Sequence, residues 1–483
     1  MVSKPNILFL LIDGFRADKF TGKNKSSITP NLDKLFKQGT YFSQNIAPSP
    51  STVPSVSSIM SSLYPHKALI KDNNLYRINM KNQFFPLEFK KNGYETFASY
   101  QDAIDFLGLD KIFDHADGYD NYTFLWKNLT EKILQKFDDN EFNEPWFYYL
   151  HVYDLHLLSF ISEEREKHAP SGFFEKNLSM NQYERVISVI DSYIGKILSK
   201  IDLKNTIIVV TADHGSEFGV YDEELEKFNA ENLERRLHTP GTGFNIAHKI
   251  AASAPGFLKP FRKKLSFTYS ESIRKNNRNK MESILNSIDE QDLSIYRKRL
   301  MKQSTWFSGD VESTLYDDRF RVPLLFVGPE IPNDKIISSQ VRSIDILPTI
   351  AELAGIPYKK DIDGTSLVSM LNGDSYDIPA FLEGAVNAPK FISKEWIGVR
   401  LPDYKYFRVK NDTVDTAPHL YNLKDDLHEE YNIADKKPEI VNKMEKILID
   451  FLNGKSFEHD EIHESTEKET NLVEEELRKL GYV

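Results

Sequence analysis

The 483-residue chain contains no cysteine. That absence excludes disulfides, thiolate metal sites and a cysteine nucleophile together. No apolar run approaches the roughly 18 residues that a membrane-spanning helix requires. An excess of positive charge is missing too: 61 Lys and Arg stand against 72 Asp and Glu, a formal net charge of −11. This argues against a general nucleic-acid binder, although it leaves room for local basic patches. Only Met1 to Lys4 precede the run PNILFLLID, which is short, lacks a small-residue cleavage site and is needed as a strand. A cytoplasmic location is therefore the expectation. Internal repeats and low-complexity segments are also absent.

What is present suits a large folded unit. Hydrophobic residues at 40% and aromatics at 12% supply a sizeable core, and the length predicts one large α/β domain with an appendage. Ile7 to Ile12, Trp146 to Val152 and Thr206 to Thr211 are continuous apolar runs of the kind buried on both faces of a parallel sheet. Helical patterns alternate with them: Thr29 to Gly39, Pro86 to Lys91, Leu125 to Phe137, Asn181 to Ile201 and the stretch ending at Gly355. A further strand is expected from Val322 to Val327. This alternation predicts a doubly wound, mostly parallel sheet.

The expected organisation is a catalytic domain over residues 1–375, interrupted by a helical insertion at about 220–312. A smaller C-terminal α+β subdomain follows over 376–456, with antiparallel strands between Trp396 and Val409 and a helix from Pro438 to Leu452. A charged tail with a last helix closes the chain over 457–483. Within the insertion, Lys and Arg outnumber Asp and Glu by more than two to one between Ala251 and Gln303. Such a bias reads either as solvated helix faces or as a basic flank that attracts an anionic substrate.

Chemistry concentrates where the apolar runs stop. Asp13-Gly14 follows the first run, Tyr153-Asp154-Leu155-His156 the second and Ala212-Asp213-His214-Gly215 the third. Ligands of open parallel sheets sit at the carboxyl ends of strands. The stretch Ser49-Pro50-Ser51-Thr52-Val53-Pro54-Ser55 is a tight turn running into a helix, with Pro54 suited to the first helical position. Thr52 then lies at or just before the N-cap, where the helix dipole favours an anion. Two carboxylates, an imidazole and a hydroxyl on one rim could hold a divalent cation, and the cation would acidify the hydroxyl.

At these residues the chain resembles the sulfatase branch of the alkaline phosphatase superfamily. PNILFLLIDGFRAD is similar to the family's first strand and metal aspartate. TPNLDKLFKQGTYFSQNIAPSPSTVPSVSSIMSSLYPHK resembles the nucleophile segment, and TADHGSEFG the second metal motif. LYDDRFRVPLLFVGP, SIDILPTIAELAGIPYKKDIDGTSL and HLYNLKDDLHEEYNIA resemble its later parts. The resemblance implies an alkaline phosphatase-like fold with Asp13, Asp213 and His214 as metal ligands and Thr52 as the metal-bound nucleophile. It also implies that His156 contacts the substrate anion or protonates the leaving oxygen, with Asp154 orienting His156.

Two departures shape the expected activity. Formylglycine sulfatases carry Cys or Ser followed by x-Pro-x-Arg, whereas this chain has Thr52-Val53-Pro54-Ser55-Val56, and threonine cannot become that aldehyde. Threonine-nucleophile relatives include phosphodiesterases and phospho-head-group transferases. The expectation is thus a metal-dependent hydrolase, with transferase activity as a variant, of phosphate or sulfate esters. The alternatives are a sulfatase without formylglycine and a noncatalytic binding protein on the same fold. Gly14 stands where many sulfatases have a second aspartate, which shifts one divalent ion from calcium towards manganese or zinc, with magnesium and calcium still compatible. The family's basic helper before LYDD is replaced by Asp310-Val311-Glu312. His238 in HTPGTG, ahead of His248-Lys249, is the candidate to take its place from within the insertion. The expected partner is a small anionic ester, a glycan, lipid head group or nucleotide among them, with no nucleic acid and no transmembrane segment.

Overall fold

In the computed structural model the described residues are 4–23, 25–72, 75–159, 162–173, 179, 181–216, 283, 285–288, 294–304, 315–384, 395–410 and 417–453. The chain divides into two compact units. One comprises Met1–Ser216 with Val311–Val483, and the other is Glu217–Asp310. Of the second unit, the helix Ile295–Ser304 begins among the described residues. His238, His248 and Lys249 fall outside the described residues, as do Asp310-Val311-Glu312 and the expected C-terminal helix.

The first unit is built on a nine-stranded sheet. Its strands are β1 (Asn6–Ile12), β2 (Gly39–Ile46), β5 (Glu95–Gln101), β6 (His115–Tyr119), β7 (Trp146–Val152), β8 (Thr206–Thr211), β9 (Arg321–Val322), β10 (Leu324–Val327) and β11 (Lys335–Arg342). A separate hairpin pairs β3 (Leu69–Asp72) with β4 (Leu75–Ile78). The order across the sheet is β11-β2-β10-β8-β1-β7-β5-β6, with β9 paired to β2. β1 is the centre, parallel to both β7 and β8. Each of its residues is buried, which explains the unbroken apolar run: helices cover both faces, so neither face can be polar. On one face Ile7, Phe9 and Leu11 join Val53, Val56, Ile59 and Phe89 in a single core.

The mostly parallel α/β expectation holds, with β9 and β10 as the exceptions: β10 is antiparallel to both β2 and β8, and β9 to β2. The strand expected from Val322 to Val327 is split by Pro323, which has no N–H to offer a ladder. The helix expected after the Ser49–Ser55 turn runs Thr52–Ser61, so Ser51 is the N-cap, Thr52 is the first helical residue and Pro54, expected at the first helical position, is the third. Three of its four buried serines bond backward to carbonyls: Ser55 Oγ to Ser49 O at 2.8 Å, Ser57 Oγ to Val53 O at 2.7 Å and Ser61 Oγ to Ser57 O at 2.8 Å.

A second, antiparallel sheet orders β12 (Ala380–Glu383), β13 (Trp396–Arg400), β14 (Tyr404–Val409) and β15 (His419–Asn422) consecutively. Alternation along it is clean. Trp396, Phe407 and Val409 pack against Ile46, Tyr316 and Phe320 of the first sheet's region, while Ile397, Val399 and Tyr406 pack under the helix Pro438–Asn453. A buried ion-pair group joins the layers: Asp317 accepts from Arg400 at 2.8 Å and Lys405 at 2.7 Å, and Lys405 also reaches Glu429 at 3.0 Å. Among the described residues no helix is long and apolar enough to cross a membrane.

Candidate active site

Because β1, β7 and β8 are adjacent and parallel, their carboxyl ends share one rim, and whatever follows each strand meets the others. Asp13 N donates to Val152 O at 2.9 Å, tying the end of β1 to the end of β7. Asp213 arrives from β8 and Thr52 from the start of its buried helix. Thr52 Oγ1 donates to Asp13 Oδ2 at 3.2 Å and lies 3.2 Å from His214 Nε2. His214 Nε2 is 3.4 Å from Asp213 Oδ2 and 3.6 Å from Asp13 Oδ1. The four residues expected to surround a cation therefore converge, although they come from positions 13, 52, 213 and 214.

Asp13 is the hub. His156 Nε2 contacts its Oδ1 at 2.9 Å and His151 Nε2 its Oδ2 at 3.1 Å. Burial would raise the Asp13 carboxyl, yet His156, His151 and His214 together outweigh it and hold the group well below the usual carboxylate range. Asp213 goes the other way: burial and the neighbouring Asp13 charge push it up. Its Oδ1 accepts from Gly14 N at 3.2 Å and His214 N at 2.9 Å, while its buried Oδ2 has no hydrogen-bond donor. An acceptor-only oxygen, buried and without a donor, is what a cation would satisfy. The ligand atoms of Asp13, His151 and Asp213 lie within 4.8 Å of one another. Carboxylate oxygen with imidazole nitrogen fits a divalent transition metal, and the residues present fit such an ion.

His151 was not singled out from sequence. The available signal was a lone histidine near the end of an otherwise apolar and aromatic strand, in register with Leu11, two residues before Asp13. Asp154, expected to orient His156, instead accepts Leu125 N at 2.8 Å. Its carboxyl is fully buried and is pushed up to about 8 by that burial, against the backbone donors that oppose it. His156 is held by its ring, stacked on Tyr153 at 4.0 Å between centroids.

Two glycines shape the rim. Gly14 has φ +70°, a left-handed backbone conformation in which an added side chain would be strained. A Cβ on Gly215 would sit 2.0 Å from Asp318 O, so only glycine lets the Asp213-His214 turn pack on the Asp317–Phe320 segment. That segment also pairs Asp318 with Arg16 at 3.0 Å, and Arg16 reaches Ser216 O at 3.3 Å.

Comparison with known proteins agrees with this architecture. The family model described as Sulfatase matches residues 5–356, and that of the N-sulphoglucosamine sulphohydrolase C-terminal region matches residues 305–453. Arylsulfatase K of Danio rerio is 26% identical over 174 residues, covering 34% of this chain and 30% of that protein. The match thus spans under a third of that relative's length. A sulfatase of Formosa agariphila is 23% identical over 442 residues, covering 85% of this chain and 80% of its own. Among solved structures, one in complex with its substrate D-glucosamine-2-N,6-O-disulfate has a TM-score of 0.60 at 16% identity, covering 93% of this chain and 98% of that one.

Proposed function

Since the chain belongs to the sulfatase family, we propose that it hydrolyses sulfate esters of small anionic substrates, sulfated sugars first among them, with Thr52 Oγ1 as the attacking oxygen. The observation that carries this reading is the placement of that oxygen. It stands at the first residue of a wholly buried helix, 3.2 Å from both Asp13 Oδ2 and His214 Nε2. Asp13 Oδ2 accepts from the hydroxyl and orients it, the hydroxyl proton passes to solvent as the oxygen attacks, and the positive end of the helix dipole favours the anionic sulfuryl group. The Thr52 O–S bond forms as the S–O bond to the alcohol breaks. His156 is the imidazole we assign to protonate that departing oxygen. Water then cleaves the threonine ester, releasing sulfate and returning the proton to Thr52.

Asp13 and Asp213, with His151 and His214, would hold one divalent cation, manganese or zinc by donor type. Such an ion lowers the pKa of a nearby hydroxyl and offsets charge that develops on oxygen. Gly14, by contributing only backbone, leaves imidazole rather than a third carboxylate to complete the set.

One observation favours a second reading, phosphate-ester hydrolysis. Thr52 occupies the position of the residue convertible to formylglycine, and Val56 that of the arginine. A panel of 4-nitrophenyl sulfate, phosphate, phosphate diester and phosphonate, each with manganese, zinc, magnesium and calcium, separates the two. The proposal predicts the highest kcat/KM on sulfate. A preference for a phosphate ester by tenfold or more replaces it with the second reading, and no turnover with any pair defeats both.

A further inference from the structure

Tyr149 and His151 are two residues apart on β7, so their side chains share one face of the sheet. In register beside them on β1 stand Phe9 and Leu11, both part of the core. Tyr149 is fully buried, and its ring is fixed by Phe113, stacked at 5.9 Å and 19°, and by Phe9 at 5.8 Å and 53°. That packing aims the hydroxyl at the next histidine: Tyr149 Oη lies 3.1 Å from His151 Nδ1. The other ring nitrogen, Nε2, lies 3.1 Å from Asp13 Oδ2. Among the described residues Nδ1 has no second hydrogen-bond partner, and the imidazole is buried away from bulk water. The backbone of the histidine is held too, since Tyr119 Oη donates to its carbonyl.

A neutral imidazole carries one N–H. To offer a lone pair at Nε2, His151 must carry that proton on Nδ1. On a buried face shared with Phe9 and Leu11, an Nδ1–H without an acceptor is unfavourable. The competing tautomer has its proton on Nε2, where it would donate to Asp13 and close that nitrogen to a cation. A phenolic oxygen accepts hydrogen bonds, so Tyr149 supplies the acceptor that the first tautomer needs.

We propose that Tyr149 is a positioning residue for the cation site: its hydroxyl accepts the Nδ1–H of His151, fixes the orientation of the ring and leaves the Nε2 lone pair facing Asp13 and Asp213. The inference rests on the reading above that Asp13, His151, Asp213 and His214 hold a divalent ion, and it adds the group that orders one of them. Groups that accept from the far nitrogen of a ligating histidine set its tautomer and raise its basicity. Phenylalanine at position 149 would keep the packing on Phe9 and Phe113 and lose only the acceptor.

Zinc alone, titrated into the metal-free full chain against a competing chelator, tests this without any ester substrate. Tyr149→Phe should weaken zinc binding about ten- to a hundredfold. In a His151→Gln background, where no Nδ1 remains to be held, the same change should alter affinity less than about twofold. A loss due to packing alone would persist undiminished in both backgrounds and would overturn the proposal. Imidazole nitrogen NMR of the zinc-loaded protein, with the His151 signal identified by its absence in His151→Gln, should show the proton on Nδ1. A proton on Nε2 there, or Tyr149→Phe binding zinc within twofold of wild type, overturns the role of Tyr149. His151→Ala then separates the two readings: weakened zinc binding leaves the cation site standing without Tyr149, and unchanged binding removes His151 from that site as well.

Discussion

Gly215→Ala probes how far the chemistry depends on the turn that carries Asp213 and His214. The added Cβ would lie 2.0 Å from Asp318 O, 2.9 Å from Asp318 C and 3.0 Å from Arg319 Cα. These are backbone atoms, so no side-chain tip can swing aside, and one segment must retreat by roughly 1 Å. The two segments are also bonded, Gly215 N to Arg319 O at 2.7 Å, and His214 Nδ1 contacts Gly215 O at 2.6 Å. A retreat therefore moves His214 away from Thr52 and Asp13, where the present separations are 3.2 and 3.6 Å. A misplacement of about 1 Å costs on the order of a hundredfold in rate, and overpacking costs about 1–3 kcal/mol of stability. We expect kcat/KM on 4-nitrophenyl sulfate to fall about a hundredfold, with metal content reduced by elemental analysis and the urea midpoint lowered while the fold persists. A variant within twofold of wild type in rate and metal content would refute the argument that this close approach sets the site.

Three other outcomes follow from buried charge. Asp317→Ala takes the carboxylate from buried Arg400 and leaves Lys405 with Glu429 alone, and should destabilise the chain by about 3–5 kcal/mol in denaturant unfolding. Burial opposes ionisation of Asp317, but Arg400 and Lys405 outweigh it and depress its pKa. Its contribution is therefore present above the unfolded carboxylate pKa and lost as pH falls below about 4, an acid sensitivity that the alanine variant should lack. Asp154 has the opposite sign: raised to about 8, it disfavours folding increasingly as pH rises from about 4 to 8. Asp154→Asn should thus be more stable than wild type by a margin that widens between pH 5 and 8 in thermal melts; a constant margin would contradict the buried neutral carboxyl. Chelation should abolish ester turnover and lower the Tm, because Asp13 and Asp213 then face each other without a cation; a fully active, metal-free protein would refute the metal-holding role of these residues.

Much of the sheet was legible because burial on both faces leaves an unmistakable run: the strands ending before Tyr153 and Ala212 have the bounds read from their apolar residues, and the one ending before Asp13 begins one residue earlier, at Asn6. Three parallel neighbours then place Asp13, His156 and Asp213 on one rim by geometry alone. What resisted reading has physical reasons. β6 is an edge strand, four of its five residues half-buried or exposed, so no apolar pattern marks it. The reversal of β10 is set by the crossover connections and not by local composition. His151 looked like part of a core strand because its role depends on Asp13 of the neighbouring strand, a pairing that no local window contains. Asp154 is two residues from His156 in sequence but turns to a backbone N–H of the 120–128 segment, a tertiary contact invisible to spacing.

The central claim is that Thr52 Oγ1 forms the covalent bond to the substrate. Rapid quenching during turnover of a slow aryl sulfate, followed by peptide mass spectrometry, tests it most directly. The account predicts a Thr52 peptide heavier by one sulfuryl group, or by one phosphoryl group with a phosphate ester, and no such adduct in an inactive Thr52→Ala. An adduct on another residue, or Thr52→Ala turning over at the wild-type rate, would contradict it.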